Sequence, residues 1–224
     1  MEKKIISDIR LFKSKSQNDL SSYIPDAKKI NAIVNRMVMK LRENEFSLGE
    51  FDHLYINFTT CDMPEKMILS DKVDKHHPWF RFCNIHVEED LYNKLGSPET
   101  YNEIILCVKN VLTTYFSSGD FDKMRILSCI QQAVDQGEDM LMKFKEKVSS
   151  KRKAVIFLRF LDNCMFYPLL RVYDVEENLL FEKDLPQAVT LDYLGEIKVG
   201  LKQIKIKPRK NAYTTQNTLL IFDY

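Results

Sequence analysis

The stretch from Lys153 to Tyr224 decides the fold. Apolar runs follow one another there with turn residues between them: AVIFLRFL (154–161), MFYPLLRVY (165–173), NLLFE (178–182), EIKVGL (196–201), IKI (204–206) and TLLIF (218–222). Short apolar runs bounded by turn signals read as buried strands. Asp174–Asn178 supplies the residues of a hairpin. Within Glu196–Lys207 the apolar positions change parity, from Ile197, Val199 and Leu201 to Ile204 and Ile206. One strand cannot turn both parities inward, so a β-bulge or break is expected near Lys202–Gln203.

Upstream the period becomes helical. Ser97-Pro98-Glu99 places a capping hydroxyl, a proline at the first helical position and an acid facing the helix dipole. The helix runs to about Phe116 with Ile104, Ile105, Val108, Val111, Leu112 and Tyr115 inward. Ser117-Ser118-Gly119-Asp120 breaks it and starts a second helix, read as 121–148, through Met124, Leu127, Val134, Leu141 and Phe144. So short a link makes the two antiparallel neighbours, and their stripes are expected to pack on the C-terminal sheet. Nearer the N-terminus, Lys4–Phe12 reads as a strand. Pro25 opens a helix with Ile30, Ile33, Val34, Met37, Val38 and Leu41 inward and Arg36 among its outer residues. Leu54, Ile56 and Phe58 alternate with His53, Tyr55, Asn57 and Thr59, the pattern of a half-buried strand. Trp79–Val87 reads as a strand and Glu88–Leu95 as a short helix stopped by Gly96. The fold class is therefore α+β: a mixed or mostly antiparallel sheet, strand-rich in the C-terminal third and packed by an antiparallel helix pair. Residues 1–224 read as a single domain, the natural subdivision being a mixed region 1–150 and a β-rich region 151–224.

Composition narrows the function classes. The chain of 224 residues is 45% hydrophobic and 29% charged with a formal net charge of +1, a globular balance with no global field drawing it to nucleic acid or membrane. Residues 151–224 carry 12 Lys/Arg against 9 Asp/Glu, and residues 1–150 carry 21 against 23. No apolar stretch approaches the roughly 18–20 residues that span a bilayer, and MEKKIISDIRLFKSK lacks the apolar core and cleavage site of a secretory signal. Five cysteines, odd in number and never in CxxC, argue against a disulfide framework. A cytoplasmic location is expected.

Candidate chemistry centres on residues 53–86. His53, His76, His77 and His86 lie there with Cys61 and Cys83, and imidazole with thiolate can bind zinc. The spacing counts against a site, because Cys83 and His86 fall on opposite faces of one strand. Surface histidines are the plainer reading; no metal and no cofactor are expected. GxSxG, GxGxxG, Walker and HExxH motifs are absent, so no catalytic residue is assigned. An enzyme built around 53–86 or on a carboxylate pair is kept as an alternative. Lys198, Lys202, Lys205, Lys207, Arg209 and Lys210 form a basic stripe. It reads as anion binding or, more simply, as lysines protecting a sheet edge. His76-His77-Pro78-Trp79 sets the only tryptophan behind the polar stretch Cys61–Pro78. Trp79 is a core residue on the plain reading and an interface anchor on the other.

The segments FDHLYINFTTC (51–61), HPWFRFCNIHVEEDLYNKL (77–95), FLRFLDNCMFYPLLRVYDVEENLLFEKDLP (157–186) and IKIKPRKN (204–211), in that order around a helical pair, together resemble bacterial immunity proteins of polymorphic toxin systems. The resemblance is one of segment order from about Phe51 onward. It implies a cytoplasmic protein without enzymatic activity that binds and neutralises a cognate protein toxin by occlusion, with no membrane and no direct nucleic-acid partner. The alternative within binding proteins is a scaffold module with no toxin. Loops on a sheet scaffold that offer aromatic or cationic groups are the expected contacts: His76, His77 and Trp79 in one, Arg209, Lys210 and Tyr213 in the other.

Overall fold

Residues 3–17, 20, 22–209 and 219–224 are described by the computed structural model. The fold is α+β, and the chain divides after Gly137 into two units, 1–137 and 138–224, each with its own buried residues. Lys210, Asn211 and Tyr213 lie outside the described residues.

The first unit is built on a sheet of β1 (Asp8–Ser14), β2 (His53–Thr59), β3 (Met67–Leu69) and β4 (Phe80–His86), ordered β1-β2-β4-β3. β1, β2 and β4 run parallel, and β3 lies antiparallel to β4. Parallel neighbours need a crossover. Helix α1 (Lys28–Glu43) supplies it between β1 and β2; residues 60–79, carrying β3 to the far edge, supply it between β2 and β4. Short α2 (Glu89–Lys94) then leads to α3 (Tyr101–Tyr115) and α4 (Lys123–Gln136). α1 packs on β1, α4 on α1, and α3 on α4. The Tyr115 hydroxyl of α3 donates to the Met67 carbonyl at 2.6 Å, seating α3 over β3. Ile9, Leu11, Leu54, Ile56, Phe58, Cys83 and Ile85 form the buried aliphatic face of the sheet.

Several local expectations change. Covered by both β1 and α4, α1 buries Arg36 as well as its aliphatics. β2 is buried on both faces, not one, because its His53/Tyr55/Asn57/Thr59 side carries a cluster of its own. The Ser97 side chain makes no capping bond; a 3-10 turn, Pro98–Thr100, precedes α3. The α3 stripe is as expected, whereas the helix 121–148 is not one helix. α4 is capped by Asp122, whose side chain accepts from the Arg125 N–H at 2.8 Å. It stops at Gly137, where φ +52 and ψ −128 suit only glycine without strain. Its buried residues are Ile126, Cys129, Ile130 and Ala133; Met124 and Val134 are exposed. Leu141 and Phe144 lie beyond it, around the first strand of the second unit. Within the first unit α4 packs between α1 and α3.

Beyond the 3-10 turn Gly137–Asp139, the regular elements described in the second unit are strands. Its strands are β5 (Met142–Val148), β6 (Lys153–Phe160), β7 (Phe166–Tyr173), β8 (Leu179–Asp184), β9 (Glu196–Val199), β10 (Gln203–Lys207) and β11 (Leu220–Asp223). The first four form an antiparallel sheet in chain order, and the rest a sheet ordered β11-β10-β9. Asp174 organises the β7–β8 hairpin: its Oδ1 accepts from the N–H groups of Glu176 and Asn178, at 2.9 Å each. The parity change after Val199 is a chain reversal. Gly200 N–H bonds the Gln203 carbonyl at 2.9 Å, and β10 returns beside β9 with Ile204 opposite Val199 and Ile206 opposite Ile197. β10 is thereby the central strand, and Lys205 and Lys207 protect no edge. Lys145 Nζ of β5 donates to the carbonyls of Leu194 and Gly195, at 2.6 Å each, tying the two sheets together at β9.

Candidate protein-binding face

The side of the parallel sheet opposite its aliphatic face is written in three strands at one parity. β1 contributes Asp8, Arg10, Phe12 and Ser14; β2 contributes His53, Tyr55, Asn57 and Thr59; β4 contributes Phe80, Phe82, Asn84 and His86. In-register pairing sets them in rows: Asp8–His53–Phe80, Arg10–Tyr55–Phe82, Phe12–Asn57–Asn84 and Ser14–Thr59–His86.

The end nearest the strand C-termini is polar and closed. Asn57 Nδ2 donates to Asn84 Oδ1 at 3.0 Å and to the Ser16 carbonyl at 3.1 Å. His86 Nδ1 bonds the Cys61 carbonyl at 2.9 Å, and the Cys61 thiol donates to the Lys15 carbonyl at 2.7 Å. Cys83 stands on the other face, where burial pushes its pKa up to about 12. The histidines and cysteines of residues 53–86 are thus spread over both ends and both faces of the sheet. Among the described residues no group of three or more His, Cys, Asp or Glu side chains converges as a metal site.

The opposite end is aromatic. Phe12, Tyr55 and Phe82 form a buried cluster with Leu20 and Phe80 against it. Tyr23 stacks on Phe12 at 4.7 Å while remaining 62% exposed. Phe80 is the hub: Tyr55 and His77 lie 4.7 Å from it, His53 4.9 Å and Trp79 6.1 Å. Cations sit over the rings, Arg10 over Tyr55 at 5.5 Å, Lys72 over Phe82 at 5.3 Å and Lys4 over Trp79 at 5.4 Å, each a contact of about 0.5–1 kcal/mol at exposed sites. Burial works against the charge on Arg10, but its 2.6 Å bond to Asp8 prevails and raises its pKa above the ordinary value. Burial likewise raises the Tyr55 pKa, with Arg10 opposing. Asp52 Oδ1 lies 2.6 Å from His53 Nδ1, and the His53 and Tyr55 rings stand nearly perpendicular, 6.5 Å apart. A hollow of about 210 Å³ opens beside Tyr23, lined by Asp8, Arg10, Asn31 and Asn35 among others.

The loop before β4 is built to present its side chains. Asp74 Oδ1 accepts from the backbone N–H of His76 at 2.8 Å and of His77 at 2.9 Å. Those bonds hold its carboxyl below the usual range and fix the turn. His76 and His77 are exposed and Trp79 is half-buried, so Trp79 is not a core residue. Arg209 belongs to the second unit, where its N–H bonds the Asp192 carbonyl at 2.7 Å. The sequence singled out His76, His77 and Trp79 but missed Arg10, Tyr23, Tyr55 and Phe80. For Arg10, Tyr55 and Phe80 the signal was the pattern D-x-R-x-F, H-x-Y-x-N and F-x-F-x-N on strands destined to pair in parallel; Tyr23 had none.

Compared with protein-family models, curated proteins and solved structures, the chain matches none. No helix among the described residues is long and apolar enough to cross a membrane.

Proposed function

We propose that this chain is a binding protein whose partner is a cognate bacterial toxin, neutralised by occlusion. The observation that carries the binding reading is the aromatic and cationic face around Phe80. Arg10 on β1 and Tyr23, His77 and Trp79 on flanking loops stand there partly exposed, and aromatic and arginine side chains dominate interface energetics. A sheet scaffold keeps such groups in place, which lowers the ordering cost of association. The toxin as partner rests on the resemblance in segment order to immunity proteins. Neutralisation needs no chemistry from this chain: covering the toxin's active site suffices.

The test is co-expression with the toxin domain encoded beside it, followed by co-purification. Wild type should rescue growth and elute as a 1:1 complex. Trp79→Ala and Tyr23→Ala, both folded, should each weaken the complex by about 2 kcal/mol, roughly thirtyfold. A wild-type chain that neither binds nor protects would remove the toxin from the reading. Protection untouched by either substitution would move the contact away from this face.

A further inference from the structure

The outward face of the β9–β10–β11 sheet carries charge that its own packing does not require. Lys198 and Lys205 stand directly opposite one another, with Ile221 opposite Lys205 on the other side. Side chains so placed have Cβ atoms about 5 Å apart, and like charges there are destabilising. Relief is meagre. Glu196 is shared between two ammonium groups, Lys198 and Lys207, each 3.9 Å away. Among the described residues no ion pair reaches Lys205 or Lys202. Edge protection does not explain Lys205, because β10 is paired on both sides.

From this we infer that the outward face of β9–β10–β11 is a docking surface for an acidic, partly apolar segment of another protein, whose carboxylates lie between Lys198 and Lys205. The apolar component is Ile221, 48% exposed in the same cross-strand row, and Leu201, 56% exposed at the β9–β10 turn. A nucleic acid fits less well. None of the described outward residues is aromatic, which leaves bases nothing to stack on. Glu196 and Asp223, on the same face beyond the lysine row, would repel a phosphate chain running its length. A short segment with a few carboxylates around aliphatic side chains meets the patch row by row. This surface belongs to the second unit and does not depend on the toxin reading of the first.

The test uses the full-length chain and a fluorescein-labelled synthetic peptide of alternating Glu and Leu, followed by anisotropy. The same peptide with Gln for Glu and an oligothymidylate serve as comparisons. The Glu peptide should bind, lose affinity between about 0.05 and 0.2 M salt as screened charge pairs do, and bind at least about tenfold better than the Gln peptide. Lys205→Glu should do two things at once: reduce that binding by about tenfold or more, and raise the melting temperature by turning a repelling pair into an attracting one. Lys205→Gln should lie between wild type and Lys205→Glu in both. Binding lost with stability raised is the outcome a purely structural lysine would not give. Equal binding of the Gln peptide, preference for the oligothymidylate, or a Lys205→Glu variant that melts lower than wild type would each overturn the inference.

Discussion

Three glycines of the first unit separate two costs that are usually confounded, and substituting each by alanine gives a graded test of the fold around the binding face. Gly96 has φ +98, and a Cβ there would stand 2.2 Å from the Pro25 carbonyl oxygen and 3.0 Å from Ile24 Cγ2. Ordinary C···O approaches are about 3.3 Å, so the overlap is about 1 Å against backbone that proline stiffens. The positive φ costs about 1–2 kcal/mol, and the backbone shift adds about 1–3 kcal/mol. Gly96→Ala is therefore expected to lose about 2–5 kcal/mol. Gly137 has φ +52 with nothing within 4 Å, which leaves the conformational part alone, about 1–3 kcal/mol. Gly119 has open space and no positive φ, so Gly119→Ala should be neutral or stabilise by up to about 1 kcal/mol through the unfolded chain. Urea unfolding followed through Trp79, the single tryptophan, reports on the unit that holds all three. The expected order is Gly119→Ala at or above wild type, then Gly137→Ala, then Gly96→Ala. A Gly96→Ala variant within about 0.5 kcal/mol of wild type, the scale of an ordinary surface change, would refute the close approach of the α2–α3 junction to the start of α1.

Other outcomes follow from single contacts. Ile130→Asp, at a fully buried position of α4, should destabilise by several kcal/mol through an unpaired buried charge; Leu127→Asp, half-buried, should cost clearly less, and the reverse order would contradict the observed stripe. Asp74→Ala should loosen the His76–His77 turn and weaken partner binding while leaving the melting temperature nearly unchanged. Because the Asp74 pKa is lowered in the folded chain by the two backbone N–H groups, its contribution is complete above the ordinary carboxylate range and fades as pH falls through the folded value. Trp79 fluorescence should therefore change on acidification in wild type and not in Asp74→Ala, and identical titrations would count against the turn. The Cys83 thiol, raised to about 12 chiefly by burial, should resist alkylation at neutral pH until the chain unfolds. Mass spectrometry showing early modification there would place it nearer the surface than Ile56, its neighbour in register.

What could be read from the sequence was what is local. The α3 stripe, the β7–β8 hairpin and the β4 boundaries each declare themselves within a few residues, by period or by turn chemistry. The misreading of 121–148 had a local cause as well. Leu141 and Phe144 are three apart and satisfied a helical stripe, while Lys143, Lys145 and Lys147 alternate as a strand does, and Gly137 marks the boundary between the two periods. Sheet neighbours are another matter. Nothing in QIKIK says that it lies between two strands, yet that position takes Lys205 off the edge and sets it opposite Lys198.

The binding face shows the same limit in a more useful form. Read singly, H-x-Y-x-N in β2 looks like a polar surface with water beyond it, and F-x-F-x-N in β4 like core. Parallel register sets Tyr55 beside Phe82 and Asn57 beside Asn84. The two apparent opposites are thus one continuous face, aromatic at one end and amide-paired at the other. The aliphatic parity of each strand faces the helices, while the remaining parity buries Phe12, Tyr55 and Phe82 and leaves Arg10 exposed. Tyr23 and His77 therefore finish the cluster at its surface instead of sealing it. A fold that needed only burial would have ended this face in aliphatic side chains. Ending it in tyrosine, histidine, tryptophan and arginine is what the proposed binding function asks of it.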